Sequence, residues 1–198
     1  MDKHCIITDI IKSYASVSSG SVEALLDLVQ FESIPKDQTF IKLHSRNDYD
    51  YFLLSGICRS YIIDTEGEDI TLSFFQDRSV LTPNVARSFN ARSIVNFQAL
   101  TEVEIGTFKA KGLVELIKDR EELRRFANSV LQKELVSKSN KEVQNASLNS
   151  RDRLILFRKQ YKNFENLVPH AYIASYLGIT NISLSWLRGN LAKDQNAF

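Results

Sequence analysis

The side chains in this sequence that can make and break bonds are few and scattered. The three histidines, His4, His44 and His170, and the two cysteines, Cys5 and Cys58, are far apart except for the neighbours His4 and Cys5. An adjacent His-Cys pair holds a metal only weakly without further ligands, and an iron–sulfur cluster needs about four thiolates. Neither metal nor cofactor is therefore expected, although one axial histidine would suffice for haem. Asp64, Glu66, Glu68 and Asp69 crowd carboxylates around Gly67, which reads as a solvated hairpin tip rather than a general acid paired with a base. The chain contains no glycine-rich phosphate loop, HExxH, CxxC or GxSxG, so it is not expected to be an enzyme.

The segment Val168–Arg188 has a spacing suited to another chemistry, recognition by a rigidly presented helix. Two short helices that cross closely need a small residue at the crossing, and Ala174 fits. Their turn needs a residue tolerant of positive φ, and Gly178 follows four positions later. Ile173, Leu177, Ile179, Leu184 and Leu187 fall where apolar side chains must plug the gap. Pro169 suits the start of the first helix and Thr180 the cap of the second, which should run from about Thr180 to Asn190. A helix-turn-helix of this kind inserts its second helix into the major groove of DNA. The candidate DNA-binding residues are Thr180, Asn181, Ile182, Ser183, Ser185, Trp186 and Arg188, with His170 at the start of the first helix. Asn181 can bond adenine bidentately, Ile182 can meet a thymine methyl, and the hydroxyls suit phosphates or bases. A pair of core helices with no DNA role is the plain alternative.

Positioning such a unit requires a folded frame. The 198 residues are 43% hydrophobic and 25% charged, enough for one large or two modest globular domains and unlike a disordered chain. No stretch approaches the ~18 apolar residues of a membrane span, and the N-terminus lacks the layout of a signal peptide. Two distant cysteines read as reduced thiols, and a cytoplasmic location with no membrane partner is expected. Residues 1–108 carry 9 Lys+Arg against 15 Asp+Glu, whereas residues 109–198 carry 16 against 9. That split suggests that the C-terminal end meets a polyanion.

Residues 7–31 read as helical with a break at Ser18–Ser21, where Ser21 can cap a second helix. Short β-branched and aromatic runs then alternate with turns: Thr39–Leu43, Tyr51–Leu54, Cys58–Ile63, Asp69–Phe75, Ser93–Gln98 and Val103–Thr107. These imply a sandwich or jelly roll. From Leu113 to Val136, apolar residues recur at three and four positions, predicting one amphipathic helix of roughly seven turns. It would outrun a small roll, so a second copy is the expected partner, through Leu116, Leu123, Phe126, Ala127, Val130 and Leu131, with packing across its own chain the alternative. Residues 137–150 read as a hinge or linker, or as the start of the next helix, and Arg151–Tyr161 as another amphipathic helix.

Together these residues resemble the Crp–Fnr family of bacterial transcription regulators. The resemblance rests on Tyr51–Arg59, an aromatic strand meeting a glycine turn, on Ile70–Phe75, on Arg151–Leu154, and above all on Leu177-Gly178-Ile179-Thr180 with Leu184-Ser185 and Leu187-Arg188. It implies an α+β chain: an N-terminal double-stranded β-helix or jelly-roll domain of the cyclic-nucleotide-binding type, a long dimerisation helix, and a C-terminal winged helix-turn-helix domain. The boundaries expected are residues 1–108, 109–137 and 138–198. It further implies double-stranded DNA and a second copy as partners, with RNA polymerase a possible contact, and a small-molecule effector of unknown identity. Relatives that bind cyclic nucleotides carry a Gly-Glu pair and then Arg-Ser or Arg-Thr around the phosphate. Here Arg92 and Ser93 stand where that arginine pair should be and form a weak effector-pocket candidate, but Asp77–Pro83 lacks the glycine and the acid, so tight cyclic-AMP binding is not expected. On the second helix, Ile182 and Trp186 occupy positions where relatives place Glu and Arg, weakening hydrogen-bonded readout of guanine and cytosine. With ten residues after Arg188, any wing must precede the motif or be very short. Lys138, Lys141, Arg151, Arg153, Arg158, Lys159 and Lys162 are candidate phosphate contacts. The reading is a dimeric DNA-binding regulator. The alternative is a sensing or protein-interaction module that has lost strong DNA binding, its apolar outer face bound to protein.

Overall fold

The computed structural model describes residues 2–81 and 91–195. The chain divides into two compact units, residues 1–60 with 74–137, and residues 61–73 with 138–198.

The first unit opens with α1 (Lys3–Tyr14), capped by Asp2, whose carboxylate accepts from the His4 N–H, and α2 (Ser19–Leu26). The helical reading of 7–31 is corrected at both ends: the first helix begins at Lys3, and Gln30–Ile34 is strand β1. Ser18, rather than Ser21, stands at the start of α2, and Ser21 is buried within the helix. The remaining strands are β2 (Thr39–Ile41), β3 (Tyr49–Ser55), β4 (Ile57–Ile63), β5 (Asp69–Gln76), β6 (Ser79–Leu81), β7 (Asn96–Ala99) and β8 (Val103–Lys109). They form two four-stranded sheets, ordered β1-β8-β3-β6 and β2-β7-β4-β5. In the first sheet, β8 pairs antiparallel with β1 (Phe31 opposite Gly106) and with β3 (Leu53 opposite Ile105). The strands absent from the sequence reading, β1 and β6, are the two edges of this sheet, where short and more polar segments are the rule.

At the β3–β4 turn Gly56 sits at φ +94°, and a Cβ there would lie 2.3 Å from the Glu102 carbonyl oxygen, so only glycine fits. Ile7, Ile10 and Ile11 of α1 and Val22 and Leu25 of α2 pack on Phe52, Leu54 and Phe108. Phe97 is fully buried, with Phe40 and Phe75 rings 6.1 Å and 5.7 Å from it. Arg59 is also fully buried, and its Nε donates to Gln98 Oε1 at 2.8 Å, a polar core element to which the sequence reading assigned no role.

The single helix expected from 113 to 136 is two helices, α3 (Ala110–Asp119) and α4 (Glu121–Ser147). Arg120 leaves helical geometry at φ −126°, ψ 89°, and its guanidinium donates to the Gly20 carbonyl and Ser21 Oγ of α2. Glu121 and Glu122 then favour a new N-terminus. Apolar spacing continues through the one-residue break, so periodicity alone missed it. The helix also runs well beyond Val136, and residues 137–147 are helix rather than linker. Within the expected dimer set, Leu123, Phe126 and Val130 are buried in the chain's own core against α1, α2 and Phe52, and Leu116 packs there half-buried. Ala127 is half-buried and Leu131 exposed, as are Leu135 (67% accessible) and Val136 (58%) further on. The apolar surface of α4 left uncovered by this chain therefore lies one to two turns beyond most of the residues named from the sequence.

Candidate nucleic-acid interface

The second unit holds α5 (Ser150–Gln160), α6 (Phe164–Leu167), α7 (His170–Leu177) and α8 (Asn181–Gln195). Asn149 caps α5 by accepting from the Asp152 N–H at 3.0 Å. Among the described residues after 137 there is no strand. The β-wing implied by the resemblance is thus absent there, because α8 continues as helix to Gln195.

An aromatic core supports the motif. Phe157, Tyr161, Phe164 and Tyr176 contact one another with ring centroids 4.8–6.2 Å apart, beside buried Leu154 and Val168. Their tilted and edge-on pairings contribute beyond area burial alone. Sequence reasoning passed over Tyr161, Phe164 and Tyr176, which stand just after α5, on α6 and on α7 and meet only in the fold.

α7 ends in a turn whose hydrogen bonds have the Schellman pattern. Gly178 N–H donates to the Ser175 carbonyl at 3.1 Å and Ile179 N–H to the Ala174 carbonyl at 3.0 Å, with Gly178 at φ +65°, ψ 40°. Ala174, Ile173, Leu177, Leu184 and Leu187 are buried and Ile179 is half-buried, so the apolar plug forms as the spacing requires. Thr180 Oγ1 accepts from the Ser183 N–H at 3.1 Å and caps α8.

Leu184, Leu187 and Leu191 bury one stripe of α8. Asn181, Ile182, Ser185, Trp186 and Gly189 lie on the exposed side, with Ile182 83% and Trp186 66% accessible. Ser183 is half-buried and its hydroxyl is paired with Thr180 Oγ1. Arg188 and His170 do not project freely. Arg188 Nε meets Glu165 Oε1 at 3.0 Å and Nη1 donates to His170 Nδ1 at 3.1 Å. His170 Nε2 then carries the proton and donates to the Glu165 carbonyl at 3.0 Å. Glu165 also binds Arg158, Nε to Oε2 at 2.8 Å.

The seven candidate phosphate contacts divide. Lys159 and Lys162 are exposed on and just after α5, and Arg151 is exposed at its start. Arg158 is held by Glu165, and Arg153 donates to the Leu148 carbonyl. Lys138 Nζ donates to Ser73 Oγ and Lys141 Nζ to the Leu72 carbonyl. Lys141 also lies 3.7 Å over the Tyr176 ring, and burial, followed by the neighbouring Lys138 charge, lowers its pKa to about 8. Within this unit the hairpin residues Asp64, Gly67, Glu68 and Asp69 and the motif residues Ala171, Tyr172, Ser175, Gly178, Thr180 and Asn181 line an open groove of about 730 Å³. Ser175 Oγ accepts from the Thr71 N–H at 3.1 Å.

In the first unit, Arg92 is exposed and donates to the His44 carbonyl at 2.6 Å, while Ser93 is buried and donates to the Val95 carbonyl at 2.6 Å. Thr82 and Pro83 of the divergent cassette lie outside the described residues. Cys58 is buried, which pushes its thiol pKa up, and Cys5 is exposed. Among the described residues no group of three or more His, Cys, Asp or Glu is placed to hold a metal, and no helix is long and apolar enough to cross a membrane.

No protein-family profile matches this sequence, and no curated protein matches it. Solved structures do. FixK2 from Bradyrhizobium japonicum superposes with a TM-score of 0.75 at 15% identity, covering 84% of this chain and 86% of that one. The c-di-GMP-responsive global regulator CLP of Xanthomonas campestris gives 0.71 at 14% identity, over 90% and 93%. The Thermus thermophilus catabolite activator protein gives 0.53 at 15%, over 91% and 86%. What is shared at these identities is the fold, and the chain has the fold of the Crp–Fnr regulators.

Proposed function

We propose that this protein is a dimeric, sequence-specific DNA-binding transcription regulator. The observation that carries the reading is α8, held at its start by the Gly178 turn and the Thr180 cap, buried along its leucine stripe, and exposed along Asn181, Ile182, Ser185, Trp186 and Gly189. In this reading that exposed side enters the major groove. Lys159, Lys162 and Arg151 hold backbone phosphates. A second copy covers Leu131, Leu135 and Val136 of α4, and the two recognition helices then meet half-sites about 34 Å apart. The β-roll acts as the sensor and binds cyclic AMP weakly or not at all.

Gel shift of the full chain against fragmented genomic DNA tests the reading. Saturable, sequence-selective binding that weakens steeply with salt supports it. The exposed Ile182 and Trp186 are also what a protein-binding face would show, so a stable protein complex in the absence of selective DNA binding favours the interaction-module reading instead.

A further inference from the structure

We infer that the exposed side of α8 selects thymine-bearing base pairs by apolar contact, giving A·T-rich half-sites where Ile182 and Trp186 face the duplex. The inference rests on the regulator reading and names what that site reads.

The contents of the helix carry it. Guanine is read by Arg or Lys forked onto O6 and N7, and cytosine by a carboxylate accepting from N4. Between Asn181 and Lys193 the sequence has no carboxylate and one cation, Arg188. That cation is engaged, its Nε on Glu165 and its Nη1 on His170, and it lies one turn from buried Leu184 and Leu191 rather than among the exposed residues. Turning it toward a base would strip a partner from Glu165, whose side chain is only 17% accessible. Arg188 is thus a positioning residue that ties α8 to α6 and to the start of α7.

The large side chains left facing out are Ile182 and Trp186, four residues apart on one side of the helix. The one apolar feature in the major groove is the thymine C5-methyl group. Four residues of helix span about 6 Å, close to two base-pair steps of ~3.4 Å. Asn181, one position before Ile182, suits the N6 and N7 edge of the adenine paired with such a thymine. A duplex fits this surface better than an apolar protein groove does. Ile182 and Trp186 are separated and flanked by Asn181, Ser185, Gly189 and Lys193, and residues 138–198 carry 9 Lys+Arg against 4 Asp+Glu.

The test is selection from randomised duplexes with the full chain, followed by replacement of each enriched thymidine with deoxyuridine, which removes only the methyl group. The expected result is a site with thymines about two steps apart in each half, each methyl contributing about fourfold in affinity. Ile182→Ala should abolish the methyl effect at one of them and Trp186→Ala at the other. Both side chains are exposed, so the fold should survive, and circular dichroism checks that. Enrichment of G·C at the contacted positions, or indifference to deoxyuridine, overturns the inference while leaving DNA binding intact. Failure to enrich any duplex overturns the regulator reading itself, a different and separately legible result.

Discussion

Replacing Gly178 with alanine tests whether the turn, rather than a side-chain contact, sets the angle of α8. Nothing lies within 4 Å of a Cβ built at Gly178, so no clash contributes. The cost is therefore backbone strain alone, about 1–2 kcal/mol for an ordinary L-residue held at φ +65°. Asn tolerates this conformation far better, so Gly178→Asn should lose less than half as much. Ala174→Leu is the complementary perturbation. Ala174 is buried on the inner side of α7, and overfilling that position costs about 1–3 kcal/mol through sterics rather than strain. Because the chain has two compact units, a global melt would blur these effects, whereas amide hydrogen exchange in α7 and α8 reports them locally. A loss of about 1 kcal/mol in Gly178→Ala corresponds to roughly fivefold faster exchange at Gly178 and Ile179, the two amides of the turn. Equal exchange in the alanine and asparagine variants would refute the strain argument.

Leu135→Asp, on the exposed part of α4, should shift the protein from dimer to monomer by light scattering while leaving its thermal stability nearly unchanged, whereas Phe126→Ala, in the chain's own core, should cost about 3–5 kcal/mol. Lys141 loses its proton at about 8 in the native state, against a reference of 10.5 in the unfolded chain. Between those values the unfolded state binds more protons, so this group makes stability rise with pH across that window. The rise stands apart from Tyr176, whose burial raises its pKa above 10. Lys141→Met should flatten the rise and increase stability at pH 7, and unchanged denaturant midpoints from pH 7 to 10 in both proteins would contradict this. Glu68 lines the groove shared with Thr180 and Asn181, and on the proposed DNA-binding reading its carboxylate would oppose an approaching phosphate there. Glu68→Gln should tighten DNA binding a few-fold at low salt, with the gain fading as salt rises.

Several features were legible in the residues themselves. The turn at Gly178, the cap at Thr180 and the leucine stripe of α8 depend on contacts within about ten residues, and local sterics specify them. Central strands such as β3 and β8, buried and rich in branched and aromatic side chains, declared themselves in the same way. Edge strands β1 and β6 did not, since a polar edge draws its order from a neighbour distant in sequence. The helix break at Arg120 depends on carbonyl and hydroxyl groups a hundred residues earlier, in α2, and no periodicity encodes it.

The same division holds along α8. Sequence alone determined that a short helix would stand there bearing Asn181, Ile182, Trp186 and Arg188, because helix period and turn chemistry are local properties. Only the tertiary structure decided which of these face outward. It turned Arg188 onto Glu165 and His170 and left Ile182 and Trp186 bare, and it buried Leu123, Phe126 and Val130 that an isolated helix would have offered to a partner. A side chain's type and spacing specify what it can do, but whether it is free to do so depends on which charges and apolar surfaces the rest of the chain brings beside it.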